Sequence, residues 1–350
     1  MKKSLSLLAL SITTSFFSIS SYAVEGGASV SWGDHPYIVE SQCTGTVLAG
    51  KYVLLAGHCA ASVDSPFPRL VNFSDGSSMM PTHRNAELYY KDTDSADIAL
   101  WTLPNTAPMN KIVFIDDLNN VADTPKLDDT VSIIGFGQND SSPRLGEISN
   151  TVTWFSNNGM AIGFGDSKQH TIQGDSGAPI FNANHKIIST IYSGDGSNDP
   201  ATGLYEQNGV NLRFAKDWLL KGINAWHSPT ELKFTGNQTI EIQSLHVNPV
   251  NLEDRQNAGT LTTGDITVTG GTCMTDGDVK PFGTCTLELK AGSSEGHVQL
   301  EDGNTITVNR APEIKPDVHQ PDSTDNGGSG GGSMGWLGLL GLLAFAFKRK

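Results

Sequence analysis

The sequence predicts an all-β chain: two successive sets of about six short strands, one helix after the second set, and a smaller β module behind them. Three observations predict it. Short apolar, β-branched runs recur between 37 and 213, each bounded by Gly, Pro, Asn, Asp or Ser. The 38 glycines favour turns over helix interiors. Only 214–226 carries apolar residues at helical spacing, with Phe214, Trp218, Leu219 and Ile223 on one stripe.

Residues 1–23 read as a signal peptide. Lys2 and Lys3 start it, an apolar run covers 5–17, and Ser21-Tyr22-Ala23 is a small-x-small cleavage site. The run is too short for a membrane anchor. Export implies an oxidising compartment, where cysteines pair. Four cysteines allow three pairings, and their spacing suggests Cys43 with Cys59 and Cys273 with Cys285. A zinc site from Cys43, His58 and Cys59 is disfavoured, because adjacent His and Cys do not easily face one metal. No metal or organic cofactor is expected.

The first set of strands includes 37–39, 44–48, 52–55 and 98–101. The second includes 131–134, 149–154, 178–181, 187–192 and 209–213. From 229 to 311 the grammar is period-two alternation, over 231–234, 238–242, 264–269, 286–289, 297–300 and 305–308, which suggests a small β-sandwich. Residues 312–333 are a flexible linker, proline-rich and acidic, then Gly/Ser-rich. Residues 334–350 form a short apolar tail ending Lys348-Arg349-Lys350.

The chemistry centres on Gly174-Asp175-Ser176-Gly177-Ala178-Pro179. A serine hydroxyl is a weak nucleophile that needs a base, an orienter for the base and donors for the developing oxyanion. Taken alone the stretch is also a turn composition. Upstream motifs supply the partners: His58 in Leu54-Leu55-Ala56-Gly57-His58-Cys59, and Asp97 in Ser95-Ala96-Asp97-Ile98-Ala99-Leu100. His, Asp, Ser is a known chain order for such a constellation.

These motifs, with Cys43 and Cys59 flanking the histidine loop, resemble the trypsin/chymotrypsin family of serine peptidases over 24–226. The resemblance implies a peptidase domain over 24–228, made of two six-stranded antiparallel barrels with a closing helix. His58 and Asp97 would lie on the first barrel and Ser176 on the second. It also implies the roles: Ser176 attacks a peptide carbonyl, His58 moves the proton, Asp97 holds the histidine, and the Gly174 and Ser176 N–H groups bind the oxyanion. The new α-amino group of Val24 would pair with Asp175, although Glu25 departs from the family's apolar second residue. The residue six before the nucleophile, His170, would sit at the base of the primary pocket with Thr171 and Gln173. Gly194 and Gly209 would form walls with room for a sizeable side chain. His170 offers a cation no partner, so cleavage after Arg and Lys should be weak and polar, acidic or aromatic residues preferred. The competing reading has Asp195 supply a negative charge.

The stretch around Cys273 and Cys285 resembles bacterial Ig-like modules, and no nucleophile–base pair is visible there. The end of the chain resembles the Gly-Gly sorting tails of Gram-negative exported proteins. That implies transient membrane contact, cutting by a rhomboid-type protease, and delivery to the cell surface or medium by type II secretion. The formal charge of -14 argues against nucleic acid as a partner. The expected partners are polypeptide substrates and the secretion and tail-processing machinery. A catalytically silent homologue, acting as a surface binding module, is the alternative to an active endopeptidase. Such homologues usually lack a triad member, and here all three are in place.

Overall fold

The computed structural model describes residues 24–60, 69–85, 96–137 and 144–312. The expected signal peptide over 1–23, the expected tail over 334–350 and the expected linker beyond Pro312 lie outside the described residues. The chain divides into two units, 1–311 and 312–350. Among the described residues no helix is long and apolar enough to cross a membrane.

The first sheet has seven strands, in the order Ser78–Met79, Val71–Asn72, Ile38–Glu40, Thr44–Leu48, Tyr52–Leu55, Ala99–Thr102 and His83–Asn85. Its outer strands do not pair with each other among the described residues. It is therefore a half-barrel where a closed six-stranded barrel was expected. Both faces of Thr44–Leu48 are buried, as its β-branched content allows.

The second sheet closes. Leu145–Phe155, Ala161–Asp166, Tyr205–Asn211, Ile187–Asn198, Pro179–Phe181 and Thr130–Gly135 form a ring, completed when Thr130–Gly135 pairs with Leu145–Phe155. Ala28–Val30 adds to it as an outer strand. The barrel interior is apolar and includes the fully buried Val24 with Ile133, Ile162, Phe164 and Ile180.

The helix runs from Leu212 to Ile223, earlier than its apolar stripe suggested. Asn211 caps its start by accepting the Arg213 N–H, and Asn224 ends it in the left-handed region. Leu212, Ala215, Leu219, Leu220 and Ile223 are its buried face, whereas Phe214 is 43% exposed. That face joins the core of the first sheet, so the helix ties the two halves together.

Trp226, expected in the helix, starts the third sheet instead. Trp226–His227 pairs with Gly236–Ser244, which pairs with Thr284–Glu301. Asn304–Val308 and then Glu231–Leu232 follow, and Thr262–Gly270 lies on the other side of Thr284–Glu301. Two expected strands, 286–289 and 297–300, are halves of the single strand Thr284–Glu301. The strands expected to form two packed sheets belong to one hydrogen-bonded sheet, with its own core around Trp226, Leu287, Val298 and Ile306. Cys43–Cys59 and Cys273–Cys285 are the two disulfides.

A flexible hinge is not what joins this sheet to the rest. His227, with no exposed surface, accepts the Ala49 N–H at Nδ1 and donates from Nε2 to Val113 O. Burial pushes His227 down to about 4, so it is neutral at physiological pH. Thr230 Oγ1 accepts the Met109 N–H and donates to Ala107 O. The Gln243 amide bonds both the N–H and the C=O of Ile115. The bond to Ala49 anchors the third sheet to a turn of the first, and the bonds to Ala107, Met109, Val113 and Ile115 fix the connector that crosses from the first sheet to the second.

Candidate active site

Strand Tyr52–Leu55 ends in a single 3-10 turn, Gly57–Ala60, which carries His58. Asp97 lies just before Ala99–Thr102, the strand beside it. Their adjacency in the sheet is what brings the two side chains together. His58 Nδ1 lies 2.7 Å from Asp97 Oδ2, and the His58 backbone N–H donates to Asp97 Oδ1 at 2.7 Å. Both carboxylate oxygens are thus engaged by one residue, which orients the ring with Nε2 away from the acid. Asp97 is mostly buried, and the imidazole is 36% exposed.

Ser176 sits in the turn before Pro179–Phe181, in the second sheet. Its carbonyl accepts the Thr44 N–H at 3.0 Å, and Thr44 follows the cysteine bridged to Cys59. Thr44 Oγ1 donates to Gly174 O and accepts the Phe136 N–H. Fully buried, Thr44 clasps the nucleophile turn to the first sheet. Gly177 has φ +90° and packs on the backbone of Thr44 and Ala56, so a side chain there would collide with both. The turn is thereby pressed against the strand that leads to His58. Among the described residues no hydrogen bond joins the Ser176 hydroxyl to His58 Nε2. Unliganded sites commonly hold this contact long. The Gly174 and Ser176 N–H groups donate to no other group among the described residues.

Asp175 is completely buried. Its carboxylate accepts the Gly137 N–H at 2.7 Å and the Ile172 N–H at 2.8 Å. Burial pushes it up to about 7, against the pull of those two donors. In this uncleaved chain the Val24 nitrogen is a peptide amide, and no bond joins it to Asp175. The backbone of the next residue, Glu25, pairs with His170 in both directions.

The pocket residues differ from expectation. His170, Thr171 and Gln207 are all buried, and the His170 ring stacks on Tyr205 at 4.2 Å. A side chain on Gly209 would point into the barrel. The space beside its Cα is occupied by Ser189, Ile180 and Phe164 inside the barrel. The residue opposite Gly194 in register is Gln207. Gln173 and Gly194 are exposed. The side chain of Asp195 lies outside what is described.

Two residues were missed by sequence reasoning. Thr44 looked like an ordinary strand residue. Tyr192, half-buried, lies where Asp97 acts on it; burial first, then that charge, pushes its hydroxyl up. Neither carries a motif, and only the packing of two distant segments reveals them. The Cys43, His58 and Cys59 ligand atoms do lie within 4.8 Å of one another, but both sulfurs are bridged and Nδ1 is held by Asp97. A serine, a histidine and a glutamate also line up elsewhere: Ser244 Oγ is 3.2 Å from His246 Nδ1, and His246 Nε2 is 3.0 Å from Glu301 Oε2. Ser244 has no exposed surface, so no substrate can reach it.

A family model described as trypsin matches residues 24–218. Among solved structures, mouse neuropsin, a serine protease expressed in the limbic system of the brain, is 18% identical. It has a TM-score of 0.46 and covers 56% of this chain and 98% of its own. An inactivated protease paralogue from the scabies mite is 16% identical, with the same TM-score and coverage. No curated protein sequence matches.

Proposed function

The chain belongs to the trypsin family, and from that membership we propose that it is a serine endopeptidase working through an acyl-enzyme, with Ser176 as nucleophile. His58 takes the hydroxyl proton at Nε2 and returns it to the leaving amine. Asp97 holds the Nδ1–H tautomer and stabilises the imidazolium. The N–H groups of Gly174 and Ser176 receive the oxyanion. The observation that carries this reading is His58 held twice by Asp97 beside the Ser176 turn, with two unengaged N–H donors in that turn.

Val24 and Asp175 are the activation pair in this reading. Cleavage after Ala23 would create an ammonium on a residue already buried in the second barrel, and Asp175 is a buried carboxylate with no cation paired to it among the described residues. The proposal extends to location: export by residues 1–23, an Ig-like accessory module over 229–311, and surface sorting by 334–350. Its support there is the composition of those segments.

A serine-reactive fluorophosphonate tests the catalytic claim. The protein beginning at Val24 should label, and Ser176→Ala should abolish labelling while leaving the melting temperature unchanged. Absence of labelling in the folded wild-type protein would establish the silent binding homologue instead.

A further inference from the structure

The two N–H groups proposed to receive the oxyanion are braced unequally. The Ser176 N–H shares a peptide plane with Asp175 O, and that oxygen accepts the Ala178 N–H at 2.8 Å. The Gly174 N–H shares its plane with Gln173 O, and among the described residues no hydrogen bond holds that oxygen. Gln173 is exposed. Gly174 itself has φ +99°, a value glycine adopts without the strain other residues would meet. Its N–H keeps one direction only if its own carbonyl is fixed.

A single side chain fixes that carbonyl. Thr44 Oγ1 donates to Gly174 O at 3.0 Å and accepts the Phe136 N–H at 3.1 Å. A hydroxyl has one hydrogen, so the bond received from Phe136 leaves that hydrogen for Gly174. Phe136 is buried, and its ring packs edge-on against Trp32 with centroids 4.8 Å apart. The Trp32 indole in turn donates to Ile38 O at 2.7 Å. The backbone N–H of the same Thr44 donates to Ser176 O at 3.0 Å. Thr44 has no exposed surface, so water does not compete for these bonds.

We propose that Thr44 is a positioning residue of the reaction: its hydroxyl, held by the Phe136 N–H and bonded to Gly174 O, aims the Gly174 N–H at the oxyanion. The inference rests on the peptidase reading above. Thr44 acts through Gly174 and not on the substrate. The first sheet, which carries His58 and Asp97, thereby also sets a donor on the nucleophile turn of the second.

The test uses the full chain beginning at Val24, with active sites counted by fluorophosphonate labelling carried to completion. Its probes are the fastest-cut member of a fluorogenic peptide library and the boronic acid of that peptide, whose adduct with Ser176 places an oxygen at the two donors. Thr44→Val keeps the shape and removes the hydroxyl. Expected is a fall in kcat per labelled site of about tenfold to a hundredfold with KM held, less than the loss on deleting an oxyanion donor outright. Affinity for the boronic acid should fall by the same factor. Thr44→Ser restores the hydroxyl and should keep most of the wild-type kcat. Thr44→Ala replaces the valine variant if that protein fails to fold. A merely structural Thr44 would lower the melting temperature and the number of labelled sites, but leave kcat per site and boronic acid affinity unchanged; that result overturns the inference and leaves the peptidase reading standing. A Thr44→Ser protein as impaired as Thr44→Val overturns it too. Failure of the wild type to label removes the peptidase reading, and the role of Thr44 with it.

Discussion

Asp175 is where a single buried residue makes the stability of the molecule sensitive to pH. Its carboxyl in the uncleaved chain is pushed up to about 7 by burial. A folded pKa raised above the unfolded value means the folded state binds the extra proton. Stability from this group is therefore present at acid pH and is lost as pH rises through about 7. In the proposed processed form, an ammonium at Val24 would reverse the penalty by giving the carboxylate a partner. The protein beginning at Val24 should melt higher than one carrying an extra residue before it. The gap should be widest near pH 7–8 and should narrow towards pH 4. Thermal melts of both forms across that range check the sign, and a gap that widened towards acid would exclude the pair.

Among the elements, the connector between the two halves of the trypsin-like body is the one most exposed to damage by a single change. Ile115 forms a bridge with Ile187 of the second barrel on one side and pairs its N–H and C=O with the Gln243 amide on the other. Gln243 also donates to Phe282 O. Gln243→Ala leaves three buried backbone groups without that partner, and one orphaned group alone costs about 1–3 kcal/mol. Urea unfolding should show a loss of about 3 kcal/mol or more, although Gln243 belongs to the third sheet and touches nothing at Ser176. The strand Ala161–Asp166 is a different lesson at this scale. It is absent from the expected strands because Gly163 and Gly165 interrupt its apolar run, yet Gly163 is required because the Trp154 indole occupies the space where a side chain would go.

For the whole molecule, the seam through Ala49, Met109, Val113 and Ile115 makes the third sheet part of the body that carries the site. A chain ending at Ser228 loses Thr230 and Gln243 from that seam and uncovers Trp226. It should accumulate as insoluble protein or label poorly with fluorophosphonate. A chain ending at Ala311 keeps every bond of the seam and should label at the full-length rate. Equal labelling and equal melting of the two truncations would show that the third sheet is a separable accessory.

The sequence by itself determined the all-β class, both cysteine pairs and the segments bearing His58, Asp97 and Ser176, because each is written in local signals: period-two alternation, loop-closing spacing, and ordered motifs. Tertiary structure alone decided the rest. Thr44 became the clasp on the nucleophile turn because sheet packing set two segments against each other. Two expected strands became the single strand Thr284–Glu301, because the hydrogen-bonded ladder continues through 290–296, where the apolar alternation breaks down. Gln207 came to lie opposite Gly194 and Gly209 opposite Ile191, because the register between strands, with its irregularities at 191–193 and 194–198, decides which residues face one another. Register is set by partners far away in the chain, and no stretch of sequence read alone contains them.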